Sequence, residues 1–181
     1  MKTVLDTCVI YPTVMRQMLL RVAKTGLFTP LWSARIIEEW QRAAAKLGPE
    51  GVAQAGAEAA MLGVEWPDAE VSWPPSLESR LWLPDPADIH VLAAAVAGSA
   101  DLILTLNVKD FPRNVLAEEG VARADPDGFL LGHWKAEPGL VAGAAESVLA
   151  DANRLSGQTW EMRQLLKKAK LPRLGKALSG S

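Results

Sequence analysis

The most informative alternation of hydrophobic and polar positions lies between residues 83 and 112. Residues 91–97 form an alanine-rich apolar run, which predicts a buried helix packed closely on a sheet. Residues 102–106 form a shorter, nearly continuous apolar run, as expected of a strand that is covered on both faces. The polar turn at residues 107–110 follows, and Pro112 breaks the pattern. This segment therefore predicts a helix and a strand that are joined to polar loops.

The two ends of that helix are marked by residues with capping preferences. Asp85, Pro86 and Asp88 fit the N-cap, the first helical position and the third, an acidic variant of the capping box. Gly98 fits the left-handed position that ends many helices. The helix is expected to begin among carboxylates, and Asp85 is interpreted as a helix cap in preference to a ligand.

The chain begins with a predicted strand, which is followed by a predicted helix. Residues 3–5 predict a strand, and Asp6 follows near its carboxyl end. Pro12 opens an amphipathic helix that Gly26 ends, and residues 27–32 are interpreted as a short strand or an extended connection. Strands that alternate with helices favour the α/β class, with a three-layer α/β/α arrangement around a central, mainly parallel sheet.

The helix predicted at residues 34–47 distinguishes two adjacent glutamates, and Ser33 fits its N-cap. At about 100° per residue, Glu39 lies at the border of the apolar stripe, whereas Glu38 points to the opposite side. Glu38 also has Arg42 four residues later, a common solvated pair. Glu39 is therefore the glutamate that is predicted to face the interior.

The pattern of the chain changes after residue 130. Two amphipathic helices are predicted at residues 140–153 and 159–169. We therefore expect one α/β domain at residues 1–130 and a C-terminal helical extension at residues 131–181.

Composition and charge limit the possible classes of protein. The chain has 181 residues, enough for a sizeable core, and a net charge of −2 with a pI of about 5.7. It is therefore no general binder of polyanions, and contact with nucleic acid needs local basic patches. The single Cys8 excludes an internal disulfide and a cysteine zinc cluster, which fits a reducing, cytoplasmic compartment. No apolar run reaches the roughly 20 residues of a membrane span, and Asp6 interrupts the N-terminus too early for a signal peptide.

Four acidic residues from separate parts of the sequence are expected to meet at one edge of the sheet. Asp6 and Asp110 follow strand ends, Asp88 opens a helix near that edge, and Glu39 borders an inward face. Two carboxylates about 6 Å apart repel each other by roughly 3 kcal/mol at an effective dielectric constant near 20. A folded protein tolerates such a group only if protons or a cation neutralise it, and hard oxygen ligands select Mg²⁺ or Mn²⁺ in preference to zinc. The sequence therefore predicts a divalent metal site that is suited to phosphoryl chemistry.

At these positions the sequence resembles a known family. Four segments are similar to the motifs of PIN-domain ribonucleases: LDT at residues 5–7, SARIIEEW at 33–40, PDPADIHVLAAA at 84–95 and TLNVKDFP at 105–112. The resemblance extends to the bacterial VapC-like toxins of type II toxin–antitoxin systems. It covers about residues 1–130, and the remainder is similar to a C-terminal extension of some of these toxins.

The resemblance implies a PIN-like fold and a divalent-metal-dependent endoribonuclease that hydrolyses RNA phosphodiester bonds with a metal-activated water. It implies that Asp6, Glu39, Asp88 and Asp110 are the catalytic residues and the ligands of Mg²⁺ or Mn²⁺. The implied partners are a cognate antitoxin protein and a second copy of the chain in a homodimer. The residues expected to contact or orient the RNA substrate are Thr7, Asn107, Lys109 and Arg113.

Other interpretations stay open for several features. A haloacid-dehalogenase-like phosphatase fits poorly, because it needs a second Asp two residues after Asp6, where Cys8 stands and is expected to be a small buried residue. A PIN-like module without catalysis, acting in protein interaction or RNA binding, is the alternative from another class. The charged side chains after Glu161 are all basic, which suits a solvated helix face, contact with an RNA backbone, or docking of an antitoxin or second subunit. His90 and His133 lack a partner at ligand spacing and are not expected to bind a metal.

Overall fold

The computed structural model describes residues 1–180, and their contacts group them into two compact units. The first unit combines residues 1–11 with residues 29–123. The second combines residues 12–28 with the chain from residue 124 onward. The domain boundary expected at residue 130 stays a prediction.

Helices form most of the regular structure in residues 1–180. Two short 3₁₀ turns, Ala45–Leu47 and Pro86–Asp88, adjoin the α-helices. In chain order the α-helices are α1 (Thr7–Ile10), α2 (Thr13–Lys24), α3 (Ala34–Ala44), α4 (Pro49–Glu65), α5 (Pro75–Arg80), α6 (Ile89–Ala97), α7 (Arg113–Glu118), α8 (Pro126–Ala136), α9 (Pro138–Ser156), α10 (Met162–Lys168) and α11 (Pro172–Ser179).

The sheet is built around the first strand of the chain. Strand β1 (Lys2–Leu5) pairs in parallel with β2 (Thr29–Leu31) on one side and with β3 (Leu102–Leu104) on the other. Strand β4 (Ala122–Ala124) lies beside β3, so the strand order in the described chain is β2-β1-β3-β4. All three residues of β3 are buried, as the continuous apolar run predicted. These strands confirm the predicted α/β class with a mainly parallel sheet, while β3 ends at Leu104, two residues earlier than predicted.

Helix α3 shows how local sequence sets the position of a side chain near the sheet. The Ser33 hydroxyl accepts a hydrogen bond from the Ile36 amide at 3.2 Å, which confirms the predicted N-cap. The helix keeps its α form to Ala44 and tightens into a 3₁₀ turn up to Leu47. Its extent therefore agrees with the prediction of residues 34–47.

A 3₁₀ turn at Pro86–Asp88 leads into α6, which begins at Ile89 and ends before Gly98. Asp85 Oδ1 accepts a hydrogen bond from the Ala87 amide at 2.9 Å, so Asp85 is a helix cap as predicted. At the other end, Gly98 has φ −79° in the right-handed region, and Ser99 adopts the left-handed conformation with φ 51°. A Cβ on Gly98 would lie 2.8 Å from Leu31 Cδ1. Gly98 is therefore needed for close packing, and the helix stops at this residue as predicted, although the left-handed conformation falls on Ser99.

The second unit is helical, which confirms the helical character predicted for the C-terminal extension. Phe28, Phe129 and His133 form an aromatic cluster with ring centroids 4.6–5.9 Å apart. The Asp127 carboxylate accepts the backbone amides of Arg173 and Leu174, at 3.0 and 2.9 Å, and so caps the start of α11. Helix α11 was not predicted from the sequence, because its first residues depend on this distant carboxylate.

A helix that crosses a lipid bilayer must be both long and apolar. Within residues 1–180, none is both long and apolar enough to span a membrane.

Candidate metal centre

Asp6 links the end of β1 to the start of α1. Its backbone amide continues the sheet by bonding to the Leu104 carbonyl at 3.1 Å, and its Oδ1 accepts the Thr7 amide at 2.7 Å as the N-cap of α1. The residue is only 7% exposed. The carboxylate is therefore fixed at the carboxyl end of the central strand, where the sequence placed it.

Two side chains hold the second oxygen of Asp6. The buried Thr105 hydroxyl donates to Asp6 Oδ2 at 2.7 Å, and Cys8 Sγ lies 3.2 Å from the same oxygen. Burial, followed by the negative charge of Asp6, raises the pKa of the Cys8 thiol to about 12. Cys8 is half-buried and remains a neutral thiol that can donate to Asp6.

Glu39 is held between two side chains from other elements. Thr7 Oγ1 donates to Glu39 Oε2 at 2.7 Å, and His90 Nε2 lies 2.8 Å from Glu39 Oε1. Glu38, by contrast, is exposed and pairs with Arg42 at 3.3 Å. The orientation predicted for the two adjacent glutamates is confirmed.

His90 is a site residue whose position the sequence analysis did not anticipate. It is 1% exposed, and burial is the main reason that its pKa lies below the ordinary value. Its Nδ1 is buried and has no hydrogen-bond partner among the described residues. A neutral ring with its proton on Nε2 satisfies the contact with Glu39 and leaves Nδ1 as the bare acceptor.

The acidic side chains that approach each other most closely are Asp85, Asp88 and Asp110. One carboxylate oxygen from each lies within 4.8 Å of the other two. Asp85 thus has two roles, because it belongs to this cluster and its Oδ1 also caps the 3₁₀ turn. In the described chain, this group of close oxygens includes two of the four predicted ligands and adds Asp85, but it does not include Asp6 or Glu39.

Asn107 connects the members of this carboxylate cluster. Its Nδ2 donates to Asp110 Oδ2 and, at 3.5 Å, to Asp88 Oδ2. Its backbone amide donates to Thr105 Oγ1 at 2.9 Å, so one threonine side chain contacts both Asp6 and the Asn107 turn. Through its side chain and its backbone amide, Asn107 therefore links the cluster to Asp6, by way of Thr105, without adding negative charge.

The pKa of Asp88 is affected by the negative charges of the other acids of the site. Burial, followed by the negative charges of Asp6, Asp85, Asp110 and Glu39 in that order, raises the pKa of Asp88 to about 6. Four other carboxylates thus disfavour the ionised form of this one. The convergence predicted from the sequence is supported by this coupling, although the assignment of ligands among the acids stays a prediction.

The two basic residues predicted to contact substrate lie close to Asp110 in the sequence. Lys109 is exposed and adjoins Asp110, and Arg113 is exposed at the start of α7. Thr7, by contrast, uses its hydroxyl to hold Glu39.

Comparison with known proteins identifies the family of the chain. A family model for the PIN domain matches residues 2–109, which is more than half of the chain. The chain belongs to the PIN domain family. Comparisons with curated proteins and with solved structures find no match. PIN domains are generally metal-dependent nucleases, and the acidic cluster at the end of the sheet in this PIN domain is a group that could bind a divalent ion.

The residues present fit a hard divalent cation. The close donors are all carboxylate oxygens, the ligand type that Mg²⁺ and Mn²⁺ prefer. Ligands on opposite sides of Mg²⁺ are about 4.2 Å apart. Adjacent ligands are about 3.0 Å apart, so the three carboxylates, whose oxygens lie within 4.8 Å of one another, would close in around a bound ion. The raised pKa of Asp88 reflects repulsion by the neighbouring carboxylates, and a cation bound there would offset that repulsion.

Proposed function

We propose that the protein is a divalent-metal-dependent endoribonuclease and the toxin of a toxin–antitoxin pair, acting in the cytoplasm. The observation that carries the nuclease proposal is the crowding of carboxylates around Asp88 at the end of a parallel sheet. The PIN domain assignment supports the same chemistry.

The metal ion would be held by Asp88 and Asp110, with Asp6 and Glu39 completing the acidic set. Asp85 joins these ligands in the proposal because its oxygen lies within 4.8 Å of the cluster. A bound Mg²⁺ or Mn²⁺ would activate water and stabilise the negative charge that develops on the leaving oxygen.

The side chains around the acids fix them before any substrate arrives. Thr105 holds Asp6, while Thr7 and His90 hold Glu39 from two sides. Hydrogen bonds that are already formed need no reorganisation during the reaction, which is how a preorganised site lowers a barrier. Asn107 offsets part of the repulsion between Asp88 and Asp110.

Hydrolysis forms a bond from a water oxygen to phosphorus and breaks the bond from phosphorus to a ribose oxygen. The water gives up one proton, and the leaving oxygen takes up another. We assign to Glu39 the positioning of the attacking water, because its carboxylate is held rigidly and borders the interior.

Lys109 and Arg113 are proposed to contact the phosphate groups of the RNA. Both are exposed cations, Lys109 within the acidic turn and Arg113 three residues after Asp110. Their contribution is electrostatic, so the affinity for RNA should fall as the salt concentration rises. Local cations of this kind permit RNA binding by a chain whose net charge is −2.

The toxin role, the antitoxin partner and the homodimer are proposed from the resemblance of the four sequence motifs to VapC-like toxins. Expression of the chain alone should arrest growth of a bacterial host. A small DNA-binding protein encoded by the neighbouring reading frame should relieve that arrest when the two are expressed together. Growth that is unaffected by the chain would contradict the toxin role.

The nuclease activity is tested with wild type, Asp6→Asn and Asp88→Asn on structured RNA, in Mg²⁺, in Mn²⁺ and in EDTA. We expect cleavage by wild type in either metal, no cleavage in EDTA, and a loss of about 10²-fold or more in both variants. Glu38→Gln is the matched control, because this glutamate adjoins Glu39 but faces solvent. It should cleave as wild type does.

A second readout is the metal-dependent gain in stability. A ligand at about one hundred times its Kd stabilises the folded state by about 2.7 kcal/mol, so the Tm of wild type should rise with Mn²⁺. That rise should be smaller in Asp88→Asn. Equal activity in all three proteins, or full activity in EDTA, would refute the nuclease proposal.

A further inference from the structure

A cavity of about 290 Å³ lies in the first unit, outside the carboxylate cluster. Trp82, Leu92 and Val115 form much of its lining, and Glu118 and the Arg80–Glu119 ion pair contribute the charged groups. Pockets for drug-sized ligands have volumes of about 300–1,000 Å³, so this one suits a single flat ring system.

Trp82 is held in an exposed position by its neighbours. The residue is 63% exposed, whereas Leu81 and Leu83 on either side are 6% and 1% exposed. Successive side chains of this segment therefore alternate between the core and solvent, and the buried leucines pin the backbone. An exposed indole on a fixed backbone is a ready stacking surface, and it needs little ordering when a partner binds.

The cavity and the carboxylate cluster are lined by the same three segments of chain. The segment before α6 gives Trp82 to the cavity and Asp85 to the cluster, with at most about 11 Å between their Cα atoms. Helix α6 gives Leu92, one turn or about 6 Å beyond Asp88. The chain after β3 gives Asp110 to the cluster and then Val115 to the cavity. The cavity is therefore adjacent to the cluster, within the span of one or two nucleotides.

The charges at the cavity favour a neutral ring over a phosphate. Arg80 is engaged by Glu119 through two hydrogen bonds, at 2.8 and 3.0 Å, so its positive charge is already neutralised. Glu118 is exposed at the lining and carries a negative charge that repels phosphate. Its carboxylate can accept the N–H groups that a nucleobase presents at its edge.

We propose that this cavity binds one nucleobase of the single-stranded RNA substrate, stacked on Trp82, next to the nucleotide whose phosphate is cleaved. The inference rests on the proposed nuclease function and identifies a substrate subsite for it. Stacking on an aromatic ring tolerates any base and contributes enough to account for a large share of affinity. The base would thus fix the register of the RNA against the carboxylates.

The test measures binding of a short fluorescent single-stranded RNA, and of a series with one abasic position each, by fluorescence anisotropy. All variants are made in the Asp88→Asn background so that the RNA stays intact. In the background protein, one abasic position should weaken binding by about ten-fold. Trp82→Ala should weaken binding of intact RNA by about ten-fold and show no further loss at that abasic position. Trp82→Phe should restore most of the affinity.

Met61→Ala is the matched control, since Met61 is 70% exposed in the same unit but lies outside the cavity. It should bind intact RNA as tightly as the background protein does. The inference is overturned if Trp82→Ala also binds intact RNA as tightly as the background protein does. It is likewise overturned if each abasic position weakens RNA binding equally in the background protein and in Trp82→Ala. The exposed indole would then fit a protein partner.

The two proposals fail separately. RNA cleavage by wild type with no effect of Trp82→Ala on binding removes the nucleobase subsite and leaves the nuclease. Base-dependent binding without any cleavage supports the subsite and removes the nuclease. Absence of both binding and cleavage overturns both.

Discussion

The contact between His90 and Glu39 joins a buried imidazole to a carboxylate that is proposed to belong to the active site. The imidazole lies 2.8 Å from one carboxylate oxygen, and Thr7 donates to the other at 2.7 Å. A carboxylate with a donor on each oxygen is restricted in rotation. We interpret His90 as a positioning residue for Glu39.

Replacement of His90 tests this role. His90→Leu fills the same core position with an apolar side chain. It removes the Nε2 donor to Glu39, so Glu39 should lose its fixed orientation. We expect kcat for RNA cleavage to fall by about ten-fold or more, because small misplacements of catalytic groups are costly, while KM stays nearly unchanged. His90→Gln offers an amide donor in place of Nε2 and should recover most of the activity.

Steady-state kinetics and thermal unfolding of the two variants separate positioning from stability. If His90 serves packing alone, kcat should follow the loss of stability, and His90→Gln should be no better than His90→Leu. That result would refute the positioning role.

Among the elements, α6 depends on tight packing at its C-terminal end. A Cβ on Gly98 would lie 2.8 Å from Leu31 Cδ1, 3.0 Å from the Ala94 carbonyl oxygen and 3.2 Å from Val71 Cγ2. The absence of a side chain therefore lets the end of α6 approach β2 and the segment around Val71. This packing sets the position of the helix whose first turn follows Asp88.

Gly98→Ala should therefore destabilise the protein by about 1–3 kcal/mol, as overpacking of a tight interior does. Gly63→Ala is the matched control, because nothing lies within 4 Å of a Cβ at this helical position. It should stabilise the protein by up to about 1 kcal/mol through helix propensity. Urea denaturation of both variants measures the difference, and equal effects of the two substitutions would contradict the packing argument.

For the whole molecule, acid affects the two units with opposite signs. In the first, burial and neighbouring charges raise the pKa of Asp88 from 3.8 to about 6. Its contribution to stability is thus present below pH 3.8 and is lost as the pH rises through about 6. In the second, burial alone would raise the pKa of Asp125, but the Gly128 amide and Arg173 hold it below 3.8. That contribution is present above pH 3.8 and is lost as the pH falls through the lowered pKa.

Arg173→Gln isolates the contribution of the second unit. The guanidinium bonds to Asp125 at 2.6 Å and to Asp127 at 3.1 Å, so the variant should be less stable than wild type at pH 7. The difference should shrink as the pH falls below about 3.8, since protonated carboxyls no longer attract the cation. Urea denaturation between pH 7 and pH 2.5 measures it.

The control for this experiment is Arg163→Gln, which makes the same change of charge. Arg163 is exposed and has no ion pair within the described part of the chain. It should show a small, nearly pH-independent effect. A difference for Arg173→Gln that persists at pH 2.5 would show that packing, and not charge, is responsible. Because Arg173 is engaged in this way, part of the basic C-terminal segment serves the fold itself.

The sequence by itself determined the features that depend on neighbours a few residues away. The periodicity of apolar positions predicted strands β1 and β3 and five of the described α-helices, and capping preferences placed Ser33 and Asp85 correctly. The orientation of Glu39 over Glu38 followed from helical geometry alone. These features could be predicted because each is decided within about one turn of helix or one strand.

The tertiary structure alone decided which distant groups meet. Thr105 contacts Asp6 across 99 positions of sequence, and no local pattern marks a threonine as the partner of a particular carboxylate. The same holds for His90 beside Glu39 and for Asp85 within the carboxylate cluster. Such contacts depend on the register in which parallel strands align their ends, and that register is fixed by packing over the whole first unit. The sequence therefore supplied the acids, and the fold decided how closely each one approaches the others.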